Sequence, residues 1–500
     1  MHYSHHSERL PWRVSAVLAG ALILAAAPGS FAQETADPLG KALLGPTGII
    51  EDLRYLCDVI GGRVTGTPAC ERSIDWAVER FRQAGIENVR TEKFQMPAAW
   101  EELTARAEAI LPTRFPIRVA SMGYSPSTPE GGIVAPVVDI GEGREIDFRK
   151  AGEKVRGGIL LLRSEILDSL ENLFLEYLRL PGIIQRAEEA GALALVEVST
   201  RPRNLLYRHV AAFGVDVDLP IALASREDSM RLLRLLDAGE DVQIRLALDN
   251  RSRAPFESRN VVAEIRGSER PEEIVVLGAH LDSWALGTGA LDNGCNVALV
   301  IDIARAIQAM DRKPSRTIRF VLFTGEEQGM WGSRGYVRAH RNEMDRHVAA
   351  VIVDLGSGRI EGFSLGGRSD LKPAIEEILS PFKDWNAGNH TTDAFVGTDN
   401  FDFLLEGVPN LVANQDAAPY LPEYHAESDT FDKIDIETLK ANTALVGLLI
   451  RELADLPDRL GPRQNRAEVA NLMAETGVGG QMRTFGFWID WEERRRGRTE

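Results

Sequence analysis

The sequence predicts an α/β protein with a mostly parallel, twisted sheet covered by helices on both faces, and with a smaller α/β domain inserted into it. The first observation is size, because 500 residues, 44% of them hydrophobic, provide cores for two or three structural units. The second is a regular alternation of strand-like and helix-like segments beyond Ser258. The third is a change to shorter apolar runs between about residues 105 and 250, which indicates the inserted domain.

The N-terminus has the pattern of a cleavable signal peptide. Arg9 and Arg13 precede an apolar stretch over residues 16–27, and Ser30-Phe31-Ala32 has the small-x-small pattern of a signal-peptidase site. We predict a signal peptide over residues 1–32, cleavage after Ala32 and a secreted or periplasmic product. The stretch is too short to span a membrane comfortably and no later segment approaches that length, so we expect no membrane span after cleavage.

The main domain is expected to begin over residues 40–104 and to be interrupted by the inserted domain over residues 105–255. Apolar residues recur at helical spacing over residues 73–84, and a strand-like segment follows at residues 89–94. The inserted domain has short apolar runs at residues 158–162, 192–196 and 219–223. No metal-ligand constellation appears in its sequence, which also favours an inserted domain.

The main domain continues over residues 256–455, where strands and helices alternate. The predicted strands lie at residues 273–278, 316–323, 348–353 and 410–413, and the predicted helices at residues 296–310, 333–340 and 371–379. Such alternation favours a parallel sheet, and ligands of open parallel sheets bind beyond the carboxyl ends of the strands. Residues 456–500 form a C-terminal extension to which we assign no domain.

Side chains suited to metal chemistry follow these predicted strands. His280 lies two positions beyond the first strand, and Asp354 directly follows the third. Glu326 and Glu327 lie just past the second strand. An adjacent acid pair at a strand end points its two carboxylates in different directions, so one can bind a metal while the other accepts a proton. The sequence therefore predicts a metal-dependent hydrolase.

A pair of divalent ions, about 3.5–4 Å apart, needs a bridging carboxylate together with imidazole and further carboxylate ligands. The chain supplies such a set in order at His280, Asp292, Glu327, Asp354 and His425. Asp282 is expected to accept the second ring N–H of His280 and so to fix its tautomer. Glu326 then remains as the general base.

Net charge limits the partners. A formal charge of −17 argues against nucleic acid and anionic membranes, because phosphate binding needs patches of Lys and Arg. The local exception is Arg494-Arg495-Arg496 near the end of the chain, where we expect a solvated or oligomer-contacting tail.

Three cysteines occur, at positions 57, 70 and 295. Cys57 and Cys70 flank a segment that contains Gly and Pro, and an exported protein meets an oxidising compartment. The sequence leaves open whether these two form a disulfide. Cys295 has no nearby cysteine to complete a metal site, so we expect it to pack in the core.

Several segments resemble the co-catalytic zinc exopeptidases, the family that holds bacterial leucyl aminopeptidases and the plasma glutamate carboxypeptidase, or carboxypeptidase Q-like, group. They are Gly278-Ala-His-Leu-Asp-Ser-Trp284, Gly289-Ala-Leu-Asp-Asn-Gly294, Thr324-Gly-Glu-Glu-Gln-Gly329, Asp354, Gly397-Thr-Asp399 and Tyr424-His-Ala-Glu-Ser-Asp-Thr430. These matches run in order over essentially all of residues 256–455. The segment from Leu56 to Pro68 also resembles the opening of the carboxypeptidase group.

The resemblance implies a zinc-exopeptidase fold of the phosphorylase/hydrolase-like type, with two zinc ions per chain. One zinc is implied at His280, Asp292 and Asp354, and the other at Asp292, Glu327 and His425. Glu326 is implied to take a proton from the shared water and to deliver it to the leaving amine. Tyr424 is implied to hydrogen-bond the tetrahedral oxyanion.

The resemblance also implies a cis peptide bond between Asp292 and Asn293 and a protease-associated-like inserted domain beside the cleft. A homodimer is the assembly that the relatives suggest. Asp399, although it lies in a matching segment, precedes a helical pattern, and we expect it to be only a helix cap.

The expected function is an exported dizinc metalloexopeptidase that hydrolyses terminal bonds of short peptides or dipeptides. Aminopeptidase or carboxypeptidase polarity stays open, as does the native metal, because His and carboxylate ligands also suit manganese or cobalt. Two alternatives are a catalytically inactive binding or dimerisation module on the same scaffold, and a zinc-dependent N-deacylase or cyclase.

Overall fold

The computed structural model describes residues 35–211 and 217–500. The predicted signal peptide and its cleavage point after Ala32 lie outside these residues. None of the helices in the described part of the chain is long and apolar enough to cross a membrane.

The main sheet has seven strands in the order β1-β10-β12-β11-β13-β15-β14. Their bounds are β1 Asn88–Met96, β10 Phe256–Ile265, β11 Arg270–His280, β12 Arg316–Phe323, β13 His347–Ile352, β14 Ile360–Ser364 and β15 Asn410–Gln415. The four predicted strands are β11, β12, β13 and β15, and they pair in parallel at the centre of the sheet. The other three strands pair antiparallel at the edges, so the sheet is mixed. The edge strand β1 was predicted as a strand. Its half-exposed side chains do not indicate whether it runs parallel or antiparallel to its neighbour.

Helices cover both faces of this sheet, as predicted. Their bounds are α1 Pro38–Leu44, α2 Ile49–Tyr55, α3 Pro68–Gln83, α7 Cys295–Gln308, α8 Trp331–Ala339, α9 Lys372–Leu379, α10 Asn400–Leu405 and α11 Ile436–Asp455. In β11, Val275 and Leu277 join the core beneath α7 and α11, whereas Ile274 and Val276 join a second core beneath α8 and α10. Successive side chains of a strand point to opposite faces, so one strand supplies both cores.

Eight strands between Ala99 and Arg253 form a second sheet in the order β3-β2-β9-β5-β6-β7-β8-β4. Their bounds are β2 Ala99–Leu111, β3 Phe115–Ile117, β4 Val119–Ser121, β5 Ile133–Asp139, β6 Ile159–Leu162, β7 Ala194–Val198, β8 Ile221–Ala224 and β9 Gln243–Arg253. Its helices are α4 Glu145–Ala151, α5 Leu170–Glu189 and α6 Arg226–Asp237. The three predicted apolar runs correspond to β6, β7 and β8, whose side chains are buried on both faces. This second sheet, with its own helices, is the inserted α/β part of the predicted fold.

The C-terminal extension forms the helices α12 Arg466–Thr476, α13 Val478–Thr484 and α14 Trp488–Glu492. They pack on α10 and on α5, where the rings of Phe174 and Phe485 meet at 6.2 Å. In the expected solvated or oligomer-contacting tail, Arg494 and Arg495 are exposed, but Arg496 is not. Arg496 is buried, and both of its contacting nitrogens bind Asp402, at 2.7 and 2.8 Å. A bidentate partner inside the protein makes burial of this arginine tolerable.

All three cysteines are buried free thiols, so the disulfide that the sequence left open is absent. Cys70 lies at the start of α3 with its sulfur 3.9 Å from the Thr65 hydroxyl, whereas Cys57 lies in a π-helical turn after α2. Burial raises the pKa of both thiols to about 12, which keeps them protonated.

Candidate metal centre

Three of the predicted site segments meet at the carboxyl ends of the parallel strands. His280 is the last residue of β11, Glu326 and Glu327 follow β12, and Asp354 follows β13. Because β11 lies between β12 and β13, the loops after these three strands emerge side by side at one edge of the sheet.

The remaining two predicted ligands come from outside the sheet. Asp292 lies in the π-helical turn Ala290–Gly294 before α7, and the peptide bond between Asp292 and Asn293 is cis, as the resemblance implied. His425 lies in the loop between β15 and α11, with a φ of 58°. A histidine in this left-handed conformation is uncommon and marks a locally constrained backbone.

The structure brings all five predicted ligands together in two clusters that share Asp292. In the first, His280 Nε2 lies 3.1 Å from Asp292 Oδ1 and 2.9 Å from Asp354 Oδ1. In the second, His425 Nε2 lies 3.2 Å from Asp292 Oδ2 and 2.9 Å from Glu327 Oε2. The two oxygens of one carboxylate therefore face two different imidazoles, which is the arrangement that a bridging ligand requires.

Burial and charge in these clusters favour bound cations. Each of the five residues exposes 7% or less of its surface. Burial raises the pKa of Glu327 to about 7, and Glu327 in turn raises the pKa of His425 to about 9 against the opposing effect of burial. Three carboxylates and two imidazoles in one dry site thus need positive charge, and this mixture of donors suits zinc.

Glu326 lies beside the two clusters and belongs to neither of them. Its Oε2 atom is 4.0 Å from His280 Nε2, and its side chain remains 12% exposed. Burial raises the pKa of Glu326 well above its usual range, and the nearby carboxylates of Asp354 and Asp399 add to this effect. A carboxylate so placed can accept a proton from a group held between the clusters.

Asp282 contacts His280 in a different way from the one predicted. His280 Nδ1 lies 3.0 Å from the backbone carbonyl of Asp282, whereas the carboxylate is 3.7 Å away. The carbonyl is therefore the acceptor that fixes the tautomer of His280. The carboxylate instead accepts a hydrogen bond from the hydroxyl of Thr65 at 3.0 Å and a longer one, at 3.4 Å, from the backbone N–H of Glu326.

Comparison with known proteins agrees with this geometry. Residues 260–450 match the sequence pattern of peptidase family M28. The chain is 28% identical over 423 residues to carboxypeptidase Q of Rattus norvegicus, a match that spans 82% of this chain and 86% of the relative. These matches confirm the predicted resemblance to the zinc exopeptidases. They also confirm the predicted metallopeptidase and its zinc cofactor.

Other relatives match a similar share of this chain. A probable lipoprotein aminopeptidase of Mycobacterium tuberculosis is 25% identical over 454 residues, which spans 82% of this chain and 85% of the relative. The crystal structure of a peptidase M28 precursor from Shewanella amazonensis superposes with a TM-score of 0.79 at 27% identity, and the match covers 85% of this chain and 97% of that one. A zinc aminopeptidase from Bacillus subtilis shares the fold, with a TM-score of 0.64 at 20% identity over 83% of this chain and 96% of that one. These likenesses confirm the predicted fold class.

In this metallopeptidase, the segment before α3 supports the metal centre. Arg63 is fully buried, and its guanidinium donates to the carbonyls of Leu281, Thr288 and Gly289 at 2.5, 2.8 and 2.9 Å. Arg63 thereby holds the loop that connects His280 with Asp292. The hydroxyl of Thr65 accepts from the backbone N–H of Gly325 at 2.7 Å and so links Asp282 to the turn that carries Glu326. The sequence marks this segment by its flanking cysteines and by its resemblance to relatives, but gives no sign of this supporting role.

Asp429 and Tyr420 fix Asp292, the residue that the two clusters share, and neither was predicted from the sequence. The carboxylate of Asp429 accepts hydrogen bonds from the backbone N–H groups of Ala290, Leu291 and Asp292 at 3.0, 2.6 and 3.2 Å. The hydroxyl of Tyr420 donates to Asp292 Oδ2 at 2.7 Å. Asp429 stands four positions after His425 in a quoted motif, and that spacing was the one signal available.

We expect Asp429→Asn to weaken zinc binding and to lower stability. An amide keeps one acceptor oxygen but directs an NH₂ group at backbone donors, so buried N–H groups lose their partner at a cost of about 1–3 kcal/mol. Loss of such supporting contacts commonly lowers metal affinity by about 10- to 100-fold. Thermal unfolding and competition with a zinc chelator measure the two effects. Asp432→Asn, at an exposed position nearby, is the control, and equal behaviour of both variants contradicts the prediction.

Asp399 corrects the expectation that it is only a helix cap. It directly precedes α10, but its side chain makes no capping hydrogen bond and is completely buried. Burial raises the pKa of Asp399 to about 8, and the nearby carboxylates of Asp354 and Asp282 add to this effect. Asp399 is therefore a buried acid near Asp354 and Asp282, and the helix-start pattern of the sequence does not indicate this.

Tyr424 lies at the boundary between the main sheet and the inserted part. Its ring stacks on that of His425, with centroids 3.7 Å apart and an interplanar angle of 24°. Its hydroxyl oxygen is 2.8 Å from that of Tyr177 on α5.

Proposed function

We propose that this metallopeptidase is an exported dizinc exopeptidase that acts on short peptides and dipeptides. The observation that carries the proposal is the shared carboxylate of Asp292, whose two oxygens face two separate imidazoles with Glu326 alongside. Export rests on the N-terminal pattern of residues 1–32.

The proposed ligands follow the two clusters. His280, Asp292 and Asp354 would hold one zinc ion, and Asp292, Glu327 and His425 would hold the other. Zinc bound there would supply Lewis acidity, which lowers the pKa of a water and polarises the carbonyl of the scissile bond.

The side chains around the ligands carry out the proton transfers. Glu326 accepts a proton from the attacking water and returns it to the leaving amine, because its carboxylate is unligated and partly accessible. Tyr424 donates a hydrogen bond to the oxygen on which negative charge develops. Asp282 holds the Glu326 turn through Thr65, and its carbonyl orients the ring of His280.

Relatives named carboxypeptidase Q and others named aminopeptidase support an exopeptidase, and a dipeptide satisfies either polarity. The inactive-module alternative is disfavoured because all five ligands and the base are present and converge. The N-deacylase or cyclase alternative gains no specific support from the geometry.

The test is a panel of dipeptides with free ends, a blocked amine or an amidated carboxyl group, assayed with zinc content measured in parallel. We expect hydrolysis of free dipeptides, its loss after chelation and its return with added zinc. If hydrolysis is lost only when the amine is blocked, the enzyme is an aminopeptidase. If hydrolysis is lost only when the carboxyl group is amidated, it is a carboxypeptidase. If the zinc-loaded protein hydrolyses none of the dipeptides in the panel, the proposal is contradicted. A cyclised product from peptides with N-terminal glutamine favours the cyclase alternative.

A further inference from the structure

The inserted part holds the loop that carries His425. The backbone N–H of Arg208 donates to the carbonyl of His425 at 3.1 Å, and the N–H of Glu427 donates to the carbonyl of Leu206 at 3.0 Å. Tyr207 and Ala426 pair between these bonds as an antiparallel bridge. Residues 206–208 of the inserted part therefore act as a short partner strand for the loop with a proposed metal ligand.

The same surface contacts Tyr424 on both its backbone and its side chain. The guanidinium of Arg201 donates to the carbonyl of Tyr424 at 3.0 Å, and its central carbon lies 5.4 Å from the Tyr424 ring centroid. At the far end of the ring, the hydroxyls of Tyr424 and Tyr177 are within hydrogen-bond distance at 2.8 Å.

Tyr177 is itself held in place by a buried polar network. The ring of His209 packs on the ring of Tyr177 with centroids 4.7 Å apart. His209 Nε2 lies 3.1 Å from the carboxylate of Glu176, the residue before Tyr177, and that carboxylate also accepts from the hydroxyl of Tyr207. A second buried acid, Glu197, lies within the same cluster. The turn of α5 that carries Tyr177 is thus fixed to the rest of the inserted part.

A hydroxyl that stabilises an oxyanion must have its proton free for the substrate oxygen. Tyr424 has one hydroxyl proton, so the bond between the two tyrosines serves catalysis only when Tyr177 is the donor and Tyr424 the acceptor. In that arrangement the hydrogen bond from Tyr177 positions Tyr424 Oη. The hydroxyl proton of Tyr424 is then left for the reacting oxygen. Hydrogen bonds in such a chain polarise and strengthen one another.

We propose that Tyr177, on α5 of the inserted part, is a positioning residue for the hydroxyl of Tyr424. It donates to Tyr424 Oη and leaves the Tyr424 proton for the oxyanion. The inserted part therefore completes the catalytic centre through a specific hydroxyl, in addition to bordering the cleft. This inference rests on the proposed function.

The test is a double-mutant cycle in the full-length, zinc-loaded protein with Tyr177→Phe, Tyr424→Phe and both together. Tyr424→Phe is expected to lower kcat by about 100-fold or more. Tyr177→Phe is expected to lower kcat by about tenfold with KM changed less than about twofold. In the double variant we expect no loss beyond that of Tyr424→Phe, because the positioned hydroxyl is already absent.

A merely structural role of Tyr177 predicts a different pattern. It predicts losses that multiply in the double variant, together with lower thermal stability or zinc content, and this result overturns the inference. A Tyr177→Phe variant with wild-type kcat overturns it as well. The matched control is Tyr55→Phe, which removes a hydroxyl from a 44% exposed tyrosine on α2 and is expected to leave kcat unchanged.

A second measurement does not depend on turnover. A phosphinic dipeptide analogue, which presents a tetrahedral oxyanion, is expected to bind more weakly to Tyr177→Phe and to Tyr424→Phe, whereas the product amino acids bind as to the wild type. If the wild-type protein hydrolyses no peptide and binds no analogue, the proposed function itself fails. If the wild type is active and Tyr424→Phe retains full activity, the function stands and the inference about Tyr177 is overturned.

Discussion

Glu326→Gln is expected to stop peptide hydrolysis while two zinc ions remain bound. Glutamine has the shape of glutamate but cannot accept the proton from the attacking water, and loss of a general base costs about 10²- to 10⁴-fold in rate. Zinc should be retained because Glu326 belongs to neither ligand cluster. The measurements are kcat on a dipeptide substrate and zinc content by elemental analysis of the same preparation.

The matched control for this variant is Glu165→Gln, which changes a fully exposed glutamate of the inserted part. It should have wild-type kcat and wild-type zinc content. Two results contradict the assignment of Glu326. One is activity within a few-fold of the wild type, and the other is loss of zinc, which identifies Glu326 as a ligand rather than a base.

Asp292→Ala is expected to lose hydrolysis together with most of the bound zinc. Each oxygen of Asp292 faces one of the two histidines, at 3.1 and 3.2 Å, so one substitution removes a donor from both clusters. His280→Ala and His425→Ala each remove a donor from a single cluster and should lose less zinc. Zinc stoichiometry after dialysis against a weak chelator, with kcat on the same samples, compares the three variants.

Asp311→Ala, at an exposed position after α7, is the control for the loss of an aspartate and should bind zinc as the wild type does. If Asp292→Ala keeps as much zinc as either histidine variant, Asp292 is not a shared ligand. If it keeps full zinc and activity, the proposed centre is wrong.

The metal centre draws on segments that are far apart in the chain. Arg63 and Thr65 come from before the inserted part, Tyr177 comes from within it, and Asp429 from near the end of the main domain. Each of them acts on a loop that carries a proposed ligand or the base. Separation of the inserted part from the main sheet would therefore remove the backbone contact to His425.

Local sequence patterns were sufficient to predict the positions of the central strands. The runs that became β11, β12, β13 and β15 are continuously apolar because both of their faces are buried, and the predicted bounds lie within three residues of the observed ones. The antiparallel strands β10 and β14 were not predicted at all. Residues with chemistry at the ends of the central strands could be named because parallel strands end at a common edge.

What the sequence by itself determined is the fold class, the family and the identities of five residues that converge, since these depend on periodicity and on motifs read along the chain. Only the tertiary structure decided which oxygen of Asp292 faces which histidine, that the Asp282 carbonyl rather than its carboxylate contacts the His280 ring, and that Cys57 and Cys70 stay apart. It alone brought Tyr177 to Tyr424, across 247 positions. The physical reason is that periodicity reports which way a side chain points from its own element, whereas its partner depends on how distant elements pack together.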